Sequence, residues 1–248
     1  MKSLEELLHS SKQYATAQIQ KHFKSHKNTV GYILLNGKPR VIKWFVPGLK
    51  NNMLKEYTIL EKGAPHLNIP TPFKKDERHN VILMSYIIGK NVCDLLNDDQ
   101  VRLEEKKHVV TLLAEWYGTF HTFFHTKDHF IIRGDSNLRN FIFTDKVWGL
   151  DFEESRKGQP EEDIASLCSS LLSTDPMFTE EKFELCKEFI TSYETSVSWK
   201  VHSISKEISY ALLERIQWRP QDEETLRKYS EKIRKEGLAI PQPFTIFK

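Results

Sequence analysis

The sequence predicts an α+β fold in two lobes, a small antiparallel sheet followed by a larger helical part. Three observations predict it. Residues 30–46 hold two β-rich runs around Asn36-Gly37, a dipeptide that accepts the positive φ of a tight hairpin turn. A third apolar run, VILMSYIIG at 81–89, reads as a buried strand. From about residue 92 helical patterns take over, interrupted by two short strand-like pieces at 140–143 and 147–152.

Taken in order, Ser3-Leu-Glu-Glu6 fits a capping box, and Leu4, Leu7, Leu8, Ala15 and Ile19 follow helical spacing, which predicts an N-terminal helix. Lys43 stands inside the apolar second strand, among Val41, Ile42, Trp44 and Phe45. Residues 49–62 read as a helix with Met53, Leu54, Tyr57 and Leu60 on one side and Gly63 as its stop. PHLNIPTPF is a proline-punctuated connection. Residues 109–125 are apolar nearly all round, which places them in the core of the larger lobe. DIASLCSSLL, EEKFELCKEFITSY, KEISYALLERIQW and EETLRKYSEKIRKEG read as further helices. The predicted division is 1–85 for the first lobe and 86–248 for the second.

Composition narrows the function. The chain has 248 residues, 39% of them hydrophobic, with 36 Lys plus Arg against 34 Asp plus Glu. So balanced a charge gives no bulk drive toward nucleic acid or an anionic membrane. The three cysteines are widely spaced and form no C-x-x-C, so neither a zinc site nor a disulfide framework is expected. The polar N-terminus does not resemble a signal peptide. No uncharged apolar run approaches the ~18 residues of a membrane span. These features predict a soluble, cytoplasmic protein. There is no G-x-S-x-G, which sets hydrolase chemistry aside.

Phosphoryl transfer asks for positioning and charge neutralisation: a cation on the phosphates, hard oxygen ligands for magnesium, and a carboxylate near the attacking hydroxyl. The sequence supplies such a set in order, as Lys43, Glu56, Asp135, Asn140 and Asp151. Asp135 and Asn140 have the D-x-x-x-x-N spacing of a kinase catalytic loop. Asp151 follows across the expected hairpin in Leu-Asp-Phe-Glu, so Asn140 and Asp151 are expected to meet at one metal ion.

On these residues the chain resembles the aminoglycoside phosphotransferase and choline kinase branch of the protein-kinase-like superfamily, over roughly residues 24 to 195. Arg133-Gly134-Asp135 with Asn140 is similar to that branch's H-G-D-x-x-x-x-N, and Asp151-Phe152-Glu153 to its D-F-E. Leu83-Met84-Ser85-Tyr86 with Gly89 looks like the inter-lobe hinge, and Asp163 like the buried aspartate that steadies the catalytic loop. The resemblance implies a two-lobed kinase-like fold that transfers the γ-phosphoryl group of MgATP to a hydroxyl. It implies that Lys43 contacts the α and β phosphates and Glu56 pairs with it, with Glu61 as a rival. Asp135 would orient the acceptor hydroxyl and take its proton, Asn140 and Asp151 would ligate Mg²⁺, and the backbone of Met84, Ser85, Tyr86 and Ile87 would receive adenine. A small alcohol, sugar or amino alcohol is the expected acceptor. A small RIO-type protein kinase or ATPase, and an ATP-binding scaffold, are the alternatives.

Three departures stand out. Arg133 replaces the family's usual His, and no G-x-G-x-x-G is present. The phosphate loop is therefore expected near residues 25–28, where Asn28 would assist. Asn137 stands where Ser/Thr protein kinases have Lys, which disfavours a protein substrate. His121, His125 and His129 stand four apart, but are read as structural rather than as metal ligands. His22 and His26 with Lys21, Lys24 and Lys27 read as a solvated basic end, and the apolar C-terminal tail as packing on the helical lobe. Glu153, Glu154, Glu161 and Glu162 are the carboxylates expected to face a cationic acceptor.

Overall fold

The computed structural model describes residues 4–25 and 27–239. Ser3, His26 and the apolar stretch from 240 onward lie outside the described residues. The chain forms two compact units, one of 1–88 with 148–154 and one of 89–147 with 155–248.

The first unit opens with α1 (Leu4–Ser10), a 3-10 turn (Lys12–Tyr14) and β1 (Gln18–Phe23). It continues with β2 (Thr29–Leu35), β3 (Lys38–Trp44), α2 (Lys50–Gly63), β4 (Pro72–Asp76) and β5 (Val81–Met84). The five strands make one antiparallel sheet in the order β1-β2-β3-β5-β4. Asn36 and Gly37 both have positive φ (52° and 71°), as the tight hairpin between β2 and β3 requires.

Alternation gives this sheet two faces. Ile33, Ile42, Val81 and Leu83 pack with Leu4, Leu7, Leu8 and Tyr14 on one of them. Gly31 permits this packing, because a Cβ there would stand 2.6 Å from Leu4 Cδ2. The opposite face carries two rows across β2, β3 and β5. Tyr32, Val41 and Met84 form one, and Val30, Lys43 and Ile82 the other.

The expected helix through Ile19 is corrected here: α1 ends at Ser10, and Ile19 lies in an edge strand. That strand, QIQKHF, buries neither face and so lacks the apolar alternation that marks a strand. β4 likewise replaces the end of the expected loop, and the apolar run at 81–89 leaves the sheet after Met84.

The second unit comprises β6 (Lys90–Asn91), α3 (Val92–Leu96), α4 (Leu103–Phe123), β7 (Phe130–Ile132), β8 (Phe141–Phe143) and β9 (Val147–Gly149), whose last two residues belong to the first unit. There follow β10 (Arg156–Gly158), α5 (Pro160–Ser173), α6 (Glu180–Ser196), α7 (Ile204–Glu214) and α8 (Glu223–Glu236). α4 packs on α6, α5 on α7, and α7 on α8. α5 starts where Pro160 supplies a preset φ and Gln159 with Glu162 forms a capping box. β7 and β10 pair antiparallel, an element not visible in the sequence because no turn links the two strands, which lie 24 residues apart between Ile132 and Arg156.

Candidate active site

In the first unit, Lys43 Nζ lies 2.6 Å from Glu56 Oε2, 2.7 Å from Asp151 Oδ1 and 3.1 Å from Glu153 Oε2. Glu56 sits on the stripe Met53, Glu56, Leu60 and Gly63, which turns the buried side of α2 inward. Glu61 is exposed, so the helix presents Glu56 and not its rival to the lysine. A buried ammonium normally loses its proton. Desolvation does pull the pKa of Lys43 down, but Glu56, Asp151 and Glu153 outweigh it and hold the pKa above its ordinary value. Burial raises Glu56 to about 7 against the opposing pull of Lys43.

The oxygens of Glu56, Asp151 and Glu153 all lie within 4.8 Å of one another. Hard carboxylate oxygens in excess over one ammonium suit a divalent cation. The side chain of Asp151 is 41% exposed, against 2% for Glu56 and 8% for Glu153, so Asp151 is the member open to such an ion. Its backbone is left-handed, with φ at 62°.

Asn28 is buried, and its amide nitrogen donates to Glu153 while its oxygen accepts from the Val46 N–H. Lys27 pairs with Glu154 at 2.6 Å. Glu153 and Glu154 thus belong to the lysine cluster and its margin. Their partners are Lys43, Asn28 and Lys27.

Ser85 closes the edge of the sheet, its N–H donating to Thr71 O and its hydroxyl accepting from the Thr71 N–H, at 2.9 Å each. Met84 is buried beside it, whereas Tyr86 and Ile87 are half-buried as the chain leaves the sheet.

In the second unit, Asp163 organises the loop that carries Asp135. Its carboxylate accepts from the backbone N–H of Arg133 (2.7 Å) and of Gly134 (3.0 Å), and from the Ser136 hydroxyl (2.8 Å). His121 Nε2 lies 3.1 Å from the same carboxylate, and its Nδ1 lies 2.8 Å from the Tyr193 hydroxyl. Burial alone would raise the pKa of Asp163, but His121, the Arg133 N–H and Ser136 overcome it and hold it below the ordinary carboxylate value. His121 is therefore a structural histidine, whereas His125 and His129 lie beyond the end of α4.

Asp135 itself is exposed, and Asn140 Nδ2 donates to its Oδ2 at 3.2 Å. Arg133 is buried, with its guanidinium 4.6 Å from the Phe141 ring and 5.4 Å from Trp116. Asn137 caps the turn that ends at Asn140 by accepting from the Arg139 N–H.

A groove of about 460 Å³ in the same unit is lined by Ile132, Gly134 and Asp163, with Asp135 itself not among its lining residues. One face of α7 lines it with Glu207, Tyr210, Ala211 and Glu214, the i, i+3, i+4, i+7 spacing of a single helix side. Glu162 lines it too, tied to Arg156 at 2.8 Å, whereas Glu161 accepts from the His202 N–H. Sequence reasoning missed Glu207, Tyr210 and Glu214. Their shared helical spacing was the available signal.

No protein-family model matches the sequence, and no curated protein matches it. Solved structures do. Aminoglycoside phosphotransferase APH(4)-Ia matches with a TM-score of 0.67 at 8% identity, over 94% of this chain and 98% of that one. Choline kinase from Cryptosporidium parvum Iowa II matches with a TM-score of 0.63 at 10% identity, over 96% and 98%. A putative aminoglycoside phosphotransferase from Ralstonia eutropha gives 0.62 at 13% identity, over 90% and 91%. The fold is the protein-kinase-like fold of the aminoglycoside phosphotransferases and choline kinases. Within that kinase-like fold the five-stranded antiparallel sheet precedes the helical part. Among the described residues no helix is long and apolar enough to cross a membrane.

Proposed function

We propose that this chain is an ATP-dependent phosphotransferase that moves the γ-phosphoryl group of MgATP to a hydroxyl of a small molecule. The observation that carries the reading is the burial of Lys43 against Glu56 with Asp151 beside it. Burying charges costs several kcal/mol per ion unless they are paired. An arrangement that packing does not need therefore points to use. In this reading Lys43 binds the α and β phosphates while Glu56 fixes its position. Asp151 and Asn140 would hold Mg²⁺, which when bound neutralises charge on the β and γ phosphate oxygens. The backbone of Met84 to Ile87 takes adenine.

Asp135 orients the acceptor hydroxyl and takes its proton as the oxygen forms its bond to the γ-phosphorus and ADP departs. The loop behind it is tethered through the Arg133 and Gly134 amides to Asp163, so Asp135 is held in place without being buried itself. A groove of about 460 Å³ that Gly134 helps to line supports a small acceptor, since such ligand sites measure roughly 300–1,000 Å³. The structural neighbours are described as aminoglycoside phosphotransferases and a choline kinase, which also supports a small-molecule acceptor. Three buried free cysteines support a reducing, cytoplasmic setting.

The test is ADP release from ATP with Mg²⁺ across a panel of small hydroxyl compounds, run on the wild type and on Asp135→Ala. Stimulation by one compound class, lost in the variant, supports the reading. Autophosphorylation without any small acceptor would favour a protein kinase, and ATP binding without turnover a scaffold.

A further inference from the structure

The first unit carries an aromatic contact that the proposed chemistry does not use. The rings of Tyr32 and Tyr86 are stacked, with centroids 4.2 Å apart and planes 21° from parallel. Phe23 lies 6.2 Å from Tyr86, its ring tilted by 40°. Tyr32 is on β2 and Tyr86 two residues past the end of β5, and both are half-buried.

Strand register fixes where this pair lies. Tyr32 is opposite Val41, and Val41 opposite Met84, so the three side chains form one row on the Lys43 face. Lys43 stands in the next row on that face, two residues along β3. At roughly 3.4 Å per residue the two rows are about 7 Å apart, a spacing that suits a base at one row and its 5′ phosphates at the other.

We propose that Tyr32 is the stacking platform for the purine of the nucleotide, and that Tyr86 competes for the same ring face. The Tyr32–Tyr86 stack and a bound purine then exclude one another. A ring inserted between two others needs about 7–8 Å, twice the 3.5–4.0 Å contact distance, and the pair leaves 4.2 Å. Admission of the base thus requires Tyr86 to turn off Tyr32. The polyphosphate, bound at the Lys43 row, needs no such movement. This inference rests on the nucleotide reading above and adds to it a base-gating residue.

The two tyrosines have opposite expected effects. Tyr32→Leu removes the platform and weakens ATP binding by about 5- to 100-fold. Tyr86→Leu removes the competitor and tightens it by about 2- to 10-fold, the worth of one aromatic pair. Tyr32→Phe keeps the ring, leaves affinity within about twofold, and holds the test open should Tyr32→Leu fail to fold. The measurement is calorimetric titration with MgATP and, as a base-free probe, with magnesium tripolyphosphate, whose affinity is expected to be unchanged in every variant. Near-UV circular dichroism of the wild type is expected to lose intensity on ATP addition and not on tripolyphosphate.

Equal weakening by Tyr32→Leu and Tyr86→Leu, or no change in either, overturns the competition. A wild type that binds ATP no better than tripolyphosphate overturns the platform while leaving the phosphate site standing. A wild type that binds neither overturns the nucleotide reading, and this inference with it.

Discussion

The ammonium of Lys43 is 2.6 Å from Glu56 and 3.1 Å from Glu153, and all three side chains are almost fully withdrawn from water. Removing the cation strands the acids. Lys43→Met is expected to destabilise the protein by about 3–5 kcal/mol, the cost of leaving buried charge uncompensated. Lys43→Met with Glu56→Gln should cost less than the sum of the two single changes. Urea unfolding of the four proteins measures this, and strict additivity would sink the coupling.

Asp135 and Asp163 are both aspartates of one loop system, with opposite burdens. Asp135 is exposed, so Asp135→Ala is expected to move stability by no more than about 0.5 kcal/mol. Turnover should fall about 10²- to 10⁴-fold, as for loss of a positioned base. A drop in melting temperature that tracks the loss of activity would contradict this division of labour.

His121 and Tyr193 should separate by magnitude. His121→Ala leaves the interior side of Asp163 short of a donor, which costs about 1–3 kcal/mol. Tyr193→Phe removes one hydroxyl contact to His121 and should cost about 1 kcal/mol. Denaturant midpoints would show the order, and a reversed order would refute it.

Acid and base limbs of stability have different owners. Asp163 is held below its ordinary 3.8, so the unfolded chain takes its proton first as pH falls. Stability from this group is present above 3.8 and lost below it. Glu56 is raised from 4.5 to about 7, so its folded form binds the proton more tightly. Its contribution therefore declines as pH rises from 4.5 toward 7. Relative to Glu56→Gln, the wild type should lose stability between pH 5 and 7.5, and a flat difference would disprove the assignment.

Lys43 was legible in the sequence because it breaks a local rule, a cation inside an apolar strand, whereas Glu56 was named through the family resemblance, with Glu61 left as a rival. Asp135 and Asn140 were legible by spacing, and the Asn36-Gly37 hairpin by turn chemistry. Glu153 was not. Its place beside Lys43 depends on the left-handed turn at Asp151 and on Asn28, 125 positions earlier in the chain. Tyr193 reaches His121 across 72 positions for the same reason: tertiary contacts leave no local pattern. β1 and β10 escaped because they are polar, with no apolar face to alternate.

The first unit takes one of its pieces, 148–154, from beyond a long excursion through the second. Glu56 follows Lys43 by 13 residues in the chain, whereas Asp151 follows it by 108. A chain that ends before residue 151 offers this lysine a single acid of its cluster. An N-terminal half expressed by itself would thus lack two of the three carboxylates around its central cation. Nascent chains cut before and after residue 154 should differ sharply in resistance to proteolysis.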